Sequence, residues 1–264
     1  MKRLSKSGIE YLTRVWNFYS GCRHKQLGIC PPDLKCWAEK ITNRFSARYP
    51  NGFEPTFYPD AFLSPLSLKK PARIGCAFMG DLFGDWIDPE QTIEVKMPGG
   101  FLDRDTLKAW VFNAAKYCPQ HTFLFLTKAP WNYKKWSPFP DNCWVGATVT
   151  DGKKLLSALD GLDDIQCSKR FISAEPLLGS LEQPNHYLPL LFRGTLDWVI
   201  IGQQTPVRLA TMPKIGWVEE IVQAADKVGI PVFLKDNLVS CVDQYPFAFK
   251  GKRPDIKLRQ EFPK

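Results

Sequence analysis

Residues 122–150, TFLFLTKAPWNYKKWSPFPDNCWVGATVT, contain two almost continuous apolar runs, each followed by polar residues. The runs at 122–126 and 144–149 are rich in aromatic and β-branched residues, which favours strands. Because apolar and polar positions hardly alternate within them, we expect strands that are covered on both faces, as in a parallel sheet. This stretch therefore predicts an α/β fold.

Similar runs flank this stretch and predict further strands at 13–16, 73–79, 170–174, 198–201 and 231–234. Residues 104–117 and 217–228 place apolar side chains at helical spacing opposite charged ones, and a shorter helix is expected near 38–45. Gly229 and Pro231 are typical of a helix end followed by a new strand. Seven candidate strands in this order predict a single partial TIM-type (β/α) barrel with mostly parallel strands and an N-terminal cysteine loop.

Two segments show neither the apolar runs of the predicted strands nor the spacing of the predicted helices. Residues 49–71 are rich in proline and aromatic residues without a clean period, which predicts an irregular insertion. Residues 244–264 are basic after an aromatic start and are expected to form a C-terminal surface tail. The predicted barrel domain therefore covers residues 1–243.

Composition limits the class of protein. The 264 residues are 44% hydrophobic and 23% charged, as in an ordinary globular protein, and no apolar run is long enough for a signal peptide or a membrane span. These features predict a cytoplasmic protein without a membrane partner. A net charge of +8 favours a nucleic acid partner, DNA or RNA, although a solvated basic surface explains it equally. The basic residues near the two ends are Lys2, Arg3, Lys6, Lys250, Lys252, Arg253, Lys257 and Arg259.

Three of the eight cysteines, Cys22, Cys30 and Cys36, lie together in residues 21–40, GCRHKQLGICPPDLKCWAEK. Thiolates in a reducing compartment select zinc, copper or iron-sulfur clusters, so the C-x7-C-x5-C spacing predicts a metal site. The remaining cysteines stand singly beside apolar neighbours and are expected to pack in the core. They are Cys76, Cys118, Cys143, Cys167 and Cys241.

Three interpretations of this loop stay open at this point. A structural zinc site needs a fourth ligand, and His24 is available, although two positions from Cys22 it makes a cramped chelate. A four-iron cluster held by three cysteines instead leaves one iron open to S-adenosylmethionine. The third interpretation is a loop with no metal.

Polar residues follow the predicted strands, where loops of a barrel converge and chemistry collects. They include Gly80, Asp81, Thr127, Lys128, Glu175 and Lys235. Glu175 is expected to face the barrel mouth, or alternatively to be a helix N-terminal charge or a salt-bridge partner. The glycines of the repeated Gly-Asp step in GDLFGDW (residues 80–86) are explained either by close ligand approach or by tight turns.

Eight separated blocks resemble, in order, a phage and prokaryotic family of unknown function known for its three-cysteine motif. That family is similar to a distant branch of the radical S-adenosylmethionine superfamily. The blocks are VWNFYSGC (15–22), CWAEKI (36–41), FMGDLFGDW (78–86), CPQHTFLFLTKAP (118–130), NCWVGATVT (142–150), RFISAEPLLG (170–179), DWVIIGQQT (197–205) and GIPVFLKDNL (229–238).

The resemblance implies a [4Fe-4S] cluster on Cys22, Cys30 and Cys36, S-adenosyl-L-methionine across the barrel mouth, and a reductant such as flavodoxin or ferredoxin. It implies further that Trp37 contacts the adenine and that Gly80 and Asp81 receive the methionine amino group. The sequence departs from the pattern in its two long cysteine gaps. It also has Gly202-Gln203-Gln204 where the family commonly has Gly-Gly-Glu.

The resulting hypothesis is a radical S-adenosylmethionine enzyme that cleaves its cosubstrate reductively and abstracts hydrogen from a nucleic-acid base or nucleotide-like substrate. In this reading Asp81 and Glu175 position cofactor groups, while Glu175, Lys128 and Lys235 act as catalytic residues that handle charge or protons. The alternative is a zinc-stabilised nucleic-acid-binding protein without catalysis, which uses the same loop as a structural staple.

Overall fold

The computed structural model describes residues 4–30, 35–184, 186–242 and 258–264. These residues form an α/β fold with mostly parallel main strands. The strands are β1 (Ser5–Lys6), β2 (Arg14–Trp16), β3 (Tyr19–Ser20), β4 (Thr56–Phe57), β5 (Arg73–Cys76), β6 (Thr92–Lys96), β7 (Leu102–Thr106), β8 (Thr122–Thr127), β9 (Cys143–Thr148), β10 (Lys169–Ala174), β11 (Trp198–Ile201) and β12 (Val232–Leu234). The helices are α1 (Trp37–Arg44), α2 (Leu107–Lys116), α3 (Gly152–Asp163), α4 (Leu188–Phe192), α5 (Ile215–Val228) and α6 (Val239–Val242).

The chain divides into two compact units, Met1–Val145 with Ile165–Ser168 and Gly146–Asp164 with Lys169–Lys264. In the first unit the strand order is β1-β2-β5-β8, in which β1 is antiparallel to β2 and the others are parallel. Ile74, Phe123 and Phe125 are fully buried on these strands. Strands of this kind, covered on both faces, are those that the apolar runs predict.

The predicted strand at 73–79 ends early, at Cys76, because Ala77 takes a positive φ of 58°. A non-glycine residue with positive φ leaves the extended conformation, so the chain turns there. The turn is closed by the Gly80 N–H, which donates to the Ala77 carbonyl at 3.0 Å. The chain thus reaches Gly80 and Asp81 at the carboxyl end of β5.

Two antiparallel pairs add to the first unit. β3 pairs with β4, so the predicted irregular insertion contains a strand that joins it to the start of the cysteine loop. β6 and β7 form a hairpin that the sequence did not reveal. The helix expected from residue 104 begins instead at Leu107, because Leu102–Thr106 pairs as β7 and the Thr106 side chain caps the helix by accepting from the Ala109 N–H.

In the second unit β10, β11 and β12 are parallel and in that order. Phe171, Trp198 and Phe233 are almost fully buried on these strands, with ring centroids 5.7 and 6.0 Å apart. α5 ends at Val228, and the next residue, Gly229, forms the left-handed helix cap with a φ of 72°. The predicted helix-to-strand junction is thereby confirmed, since β12 starts directly after Pro231.

Residues 258–264, the end of the predicted tail, run along β12. Gln260 bridges Phe233 in antiparallel register, and the Trp198 indole N–H donates to the Glu261 carbonyl at 2.8 Å. The ring of Phe262 packs on both Trp198 and Phe233. The described part of the tail is therefore attached to the second unit, whereas 244–257 lie outside the described residues.

Among the described helices, none combines the length and apolarity that crossing a bilayer requires.

Candidate functional site

The cysteine loop, residues 21–36, begins where two glycine backbones touch. Gly21 forms a parallel bridge with Gly80, and its N–H donates to the Met79 carbonyl at 3.1 Å. A Cβ on Gly80 would lie 2.3 Å from the Gly21 oxygen, and Gly21 itself has φ +94°. The contact with Gly21 therefore accounts for the glycine at position 80. Gly21 is required for a different reason, since a Cβ there would lie 2.3 Å from the Glu54 carbonyl oxygen. Gly80 thus contacts the first residue of the cysteine loop.

Asp81 follows Gly80 and is almost completely buried. Its carboxylate accepts from His24 Nε2 at 2.6 Å, from Thr127 Oγ1 at 2.7 and 2.9 Å, from the Lys128 backbone N–H at 2.9 Å and from the Phe83 N–H at 3.0 Å. Burial raises the pKa of Asp81, but these donors, led by His24, outweigh it and hold the pKa below its usual value. Asp81 therefore joins the cysteine loop to the end of β8 as an ionised carboxylate.

His24 lies inside the cysteine loop and is 2% exposed. Its ring edge packs on Trp86 with centroids 5.0 Å apart, and its Nε2 is held by Asp81. Its Nδ1 is buried and has no hydrogen-bond partner among the described residues. The backbone N–H of His24 donates to Cys22 Sγ at 3.5 Å.

Cys22 is partly buried, and burial raises the pKa of its thiol to about 12. Negative charge on Asp81 and Cys30 raises this pKa further, while the His24 N–H and the charge of Lys128 lower it. The thiol is therefore protonated at neutral pH, so a metal ion that binds it must displace a proton.

Cys30 and Cys36 share the neighbourhood of Lys25. The Lys25 ammonium donates to Glu39 at 2.6 Å, and this bond, with the charges of Cys36 and Cys30, raises the pKa of Lys25. Cys30 is buried, and its N–H donates to the His24 carbonyl at 3.1 Å. Cys36 is the N-cap residue of α1.

Cys22 thus interacts electrostatically with Cys30, and Cys30 and Cys36 both interact with Lys25. No group of three or more His, Cys, Asp or Glu side chains in the described ranges is arranged to hold a metal ion. Residues 31–34, including Pro31 and Pro32, lie outside those ranges. Trp37, the first residue of α1, is 48% exposed beside Cys36, so its ring is accessible.

The second Gly-Asp step differs from the first. Asp85 is exposed, and its Oδ1 accepts from Trp131 Nε1 at 2.9 Å and Asn132 Nδ2 at 2.6 Å. These two bonds, Asn132 first, lower its pKa. Asp85 therefore joins the second Gly-Asp step to the segment that follows β8.

In the second unit, Glu175 follows β10 and Lys235 follows β12. The Lys235 ammonium donates to Glu175 Oε1, and the two side chains are 10% and 23% exposed. A Cβ on Gly202, the residue after β11, would lie 2.9 Å from Lys235 Cδ. The structure thus brings two predicted site residues together, with Glu175 as a salt-bridge partner, one of the alternatives for that residue.

Gln203 forms a second polar cluster nearby in the same unit. Its side-chain amide donates to the Asn237 carbonyl and to Ser240 Oγ, the latter at 2.6 Å, and the Asn237 amide returns a bond to the Gln203 carbonyl at 2.9 Å. Gln203, which stands in the family's Gly-Gly-Glu position, therefore fixes the segment after β12.

Few of the basic residues near the two ends fall in the described part of the chain. Arg259 is described and pairs with Asp226 and Glu261, at 2.6 and 2.7 Å. Lys6 lies on β1. Lys2, Arg3, Lys250, Lys252, Arg253 and Lys257 lie outside the described residues.

Sequence reasoning missed the contacts that organise the first unit. Thr127 was seen only as a polar strand end, and His24 only as a cramped zinc ligand. Both bind Asp81, which lies 57 residues from His24 and 46 from Thr127 in sequence. No local motif signals such a contact; a buried polar residue after each of two neighbouring strands is the only available hint.

Comparison with known proteins adds a fold relationship. The structure is similar to that of a spore photoproduct lyase complexed with dinucleoside spore photoproduct, with a TM-score of 0.53 and 8% sequence identity. The similarity covers 88% of this chain and 79% of that one. At this identity the likeness concerns the fold. No curated protein matches the sequence.

The family comparison covers most of the chain. Residues 6–244 match the family described as "Protein of unknown function (DUF5131)". The match includes the cysteine loop, Asp81 and both members of the Glu175–Lys235 pair. The chain therefore belongs to the DUF5131 family.

Proposed function

We propose that the protein is a radical S-adenosylmethionine enzyme, built as a partial barrel, that acts on a nucleic-acid base or a nucleotide. The observation that carries the proposal is the three-cysteine loop anchored at Gly80 and Asp81, directly after β5. The fold similarity to spore photoproduct lyase is consistent with a distant relationship to the radical S-adenosylmethionine superfamily.

Cys22, Cys30 and Cys36 would hold a [4Fe-4S] cluster. The chemistry of the donors fits, since thiolates are the usual ligands of such clusters and the His24 N–H donates to Cys22 Sγ, while the three described thiols are not gathered into a metal-holding group. When bound, the cluster supplies the electron for reductive cleavage of S-adenosylmethionine, the chemistry by which such enzymes abstract hydrogen.

Side chains near the cysteine loop compensate negative charge on its thiolates and position the loop. Lys128 lowers the pKa of Cys22, so we assign its side chain to charge compensation at the thiolate. The Asp81 carboxylate is occupied by His24, Thr127 and backbone donors, so its role is to position the loop and the end of β8. Trp37 offers an exposed ring for an adenine.

Glu175 and Lys235 provide the ionisable pair of the second unit. Their mutual hydrogen bond keeps a carboxylate and an ammonium in contact, so a proton can be held at Lys235 Nζ or passed to Glu175 Oε1. We propose that this pair orients a polar group of the cosubstrate or handles a substrate proton.

A nucleic-acid substrate is supported by two observations. The net charge of +8 favours a polyanion, and the similar structure was solved with a dinucleoside photoproduct. DNA or RNA is therefore the proposed partner, with flavodoxin or ferredoxin as the proposed electron donor. The pairing of Arg259 with Asp226 and Glu261 makes that residue a poor phosphate contact.

One observation favours the alternative of a zinc-stabilised nucleic-acid-binding protein. His24 is a buried histidine in the same loop as the three cysteines, and three thiolates with one imidazole form a common structural zinc set. The two functions differ in the metal that the loop takes up and in whether the protein turns over S-adenosylmethionine.

Anaerobic reconstitution with iron and sulfide separates these candidates. The enzyme is expected to bind about four irons and four sulfides, and to lose them when Cys22, Cys30 or Cys36 is changed to alanine. Cys118→Ala is the matched control, because Cys118 is a buried thiol outside the loop. Stoichiometric zinc without iron uptake would reject the enzyme.

A further inference from the structure

The segment that follows β8, residues 127–135 (TKAPWNYKK), carries three lysines and no acidic residue. It begins at the candidate site, where the Lys128 N–H donates to the Asp81 carboxylate at 2.9 Å. It ends with Lys134 and Lys135, which are both exposed. No residue in the described ranges forms a salt bridge with either of these two lysines. The segment is therefore a basic surface that starts beside the cysteine loop.

Trp131 and Lys134 lie on the same face of a short 3₁₀ helix, Pro130–Lys135. Such a helix has three residues per turn, so side chains three positions apart are aligned. Pro130 and Tyr133 form the aligned pair on the buried face. Trp131, which is 39% exposed, and Lys134 form the aligned pair on the solvent face. The helix therefore presents an indole ring and an ammonium group side by side.

The exposed indole is held in place by its ring edge. Trp131 Nε1 donates to Asp85 Oδ1 at 2.9 Å, and the Asn132 amide holds the same oxygen at 2.6 Å. That amide also donates to the Phe83 carbonyl at 2.8 Å, and the ring of Phe83 packs on Tyr133 with centroids 4.5 Å apart. A ring that is already ordered loses little conformational freedom when a ligand stacks on it, so more of the contact energy appears as affinity.

Lys135 has different surroundings from Lys134. It lines a depression together with Asp85, Asp88 and Glu90, whose carboxylates repel a phosphate and offset the charge of the lysine. Lys134 is not part of the lining of this depression. A phosphate group is therefore expected to contact Lys134 rather than Lys135.

We propose that Trp131 and Lys134 bind single-stranded nucleic acid, with a base stacked on the indole and a phosphate beside the ammonium group. Aromatic rings combined with cationic side chains are typical of surfaces that bind single strands without reading their sequence. A single strand fits better than a duplex, because a ring on the protein surface reaches the face of a base only where that base is unstacked. The inference rests on the proposed function insofar as the partner is a nucleic acid.

Fluorescence anisotropy with a labelled single-stranded oligodeoxynucleotide of about twelve nucleotides tests the stacking contact. Trp131→Ala should weaken binding at least about fivefold, because the stacked base loses its platform. Trp131→Phe keeps a ring but lacks the N–H that Asp85 accepts, so its affinity should stay within about twofold of wild type. Tyr117→Ala is the matched control: Tyr117 is 74% exposed beside Lys116, but it precedes β8, whereas Trp131 follows that strand.

Salt dependence tests the phosphate contact. On single strands each neutralised phosphate contributes about 0.7 to the log-log slope of affinity against salt, so Lys134→Gln should flatten the slope by about 0.7. Lys135→Gln should change it by less than half as much. Unaltered affinity in Trp131→Ala, or equal slope changes in the two lysine variants, overturns the proposal. A loss of affinity in Lys134→Gln but not in Trp131→Ala would also overturn it, since it would indicate a purely electrostatic surface, such as one for an acidic protein.

The binding assay separates this proposal from the proposed enzyme chemistry, because it needs neither iron nor S-adenosylmethionine. If the oligonucleotide does not bind even at low salt, this surface and the nucleic-acid partner both fail, while iron uptake still decides whether the protein is a radical enzyme. If the oligonucleotide binds as expected and no iron is taken up, this surface stands and the enzyme is rejected.

Discussion

Replacing Asp81 with asparagine tests whether this carboxylate holds the first unit together. Asparagine keeps one acceptor oxygen and puts an NH₂ donor in place of the other. Oδ2 of Asp81 accepts from His24 and the Lys128 N–H, and Oδ1 accepts from the Phe83 N–H. In either orientation of the amide, at least one buried N–H therefore faces a donor and loses its acceptor.

The expected cost follows from these bonds. An unsatisfied buried donor costs about 1–3 kcal/mol, and each remaining bond weakens from a charge-assisted bond to a neutral one. We expect Asp81→Asn to lower the free energy of unfolding by about 2–4 kcal/mol, measured by urea denaturation followed by circular dichroism. Because the chain has two units, fluorescence should be recorded as a second probe of the transition.

Asp85→Asn is the matched control from the other Gly-Asp step. Asp85 is exposed, and both of its donors, Trp131 and Asn132, meet a single oxygen that asparagine retains. This variant should change stability by no more than about 0.5 kcal/mol. Equal effects of Asp81→Asn and Asp85→Asn would refute the argument from the buried carboxylate.

The pH dependence of the stability difference between wild type and Asp81→Asn is a second test of this carboxylate. The pKa of Asp81 is lower in the folded than in the unfolded chain, so its contribution is fully present above the unfolded value of about 3.9. It is lost as the pH falls through the lower folded value. The stability difference between wild type and Asp81→Asn should therefore shrink below about pH 4. A difference that grows with acidification would contradict the assignment.

Three further predictions concern Gly80 at the start of the cysteine loop, Glu175 in the second unit, and the proposed nucleic-acid partner. Gly80→Ala should destabilise the protein by about 1–3 kcal/mol in urea, because its Cβ would overlap the Gly21 oxygen. Gly8→Ala, whose Cβ would have no atom of the described residues within 4 Å, should be nearly neutral, and equal effects of the two substitutions would remove the packing argument. Glu175→Gln should slow release of 5′-deoxyadenosine by at least about tenfold while the iron content stays unchanged, and unaltered release would exclude Glu175 from the chemistry. Binding to duplex DNA should weaken with salt, with a log-log slope near about −4 for roughly five phosphate contacts, and replacing Lys250, Lys252 and Arg253 with glutamine should flatten it; binding that is undetectable at low salt would favour a peptide or small-molecule substrate.

The strands were predictable because a strand that is buried on both faces appears in the sequence as an unbroken apolar run. Residues 198–201 are all apolar and are all buried in β11, and the prediction gives the same bounds. The hairpin of β6 and β7 was not predictable in this way. β7 reads LDRDT and is largely exposed, so its pairing with β6 comes from backbone hydrogen bonds rather than from an apolar run.

The candidate site was predictable only in its parts. Parallel neighbours end at the same edge of a sheet, so polar residues after β10 and β12 were expected near one another, and Glu175 and Lys235 do pair. The contact of His24 with Asp81 depends on the path of an irregular loop. Its course is fixed by the Gly21–Gly80 bridge, which has no signature in the sequence beyond two glycines.

The pairing of residues 258–264 with β12 has a consequence for solubility. A last strand of a sheet offers unpaired N–H and C=O groups to any neighbouring chain, which invites edge-to-edge aggregation. Here the Leu234 N–H donates to the Arg259 carbonyl and the Glu261 N–H donates to the Val232 carbonyl. These backbone groups of β12 are therefore already hydrogen-bonded. A chain shortened before residue 258 would expose these β12 backbone groups, and it should self-associate at concentrations where the intact protein stays monodisperse.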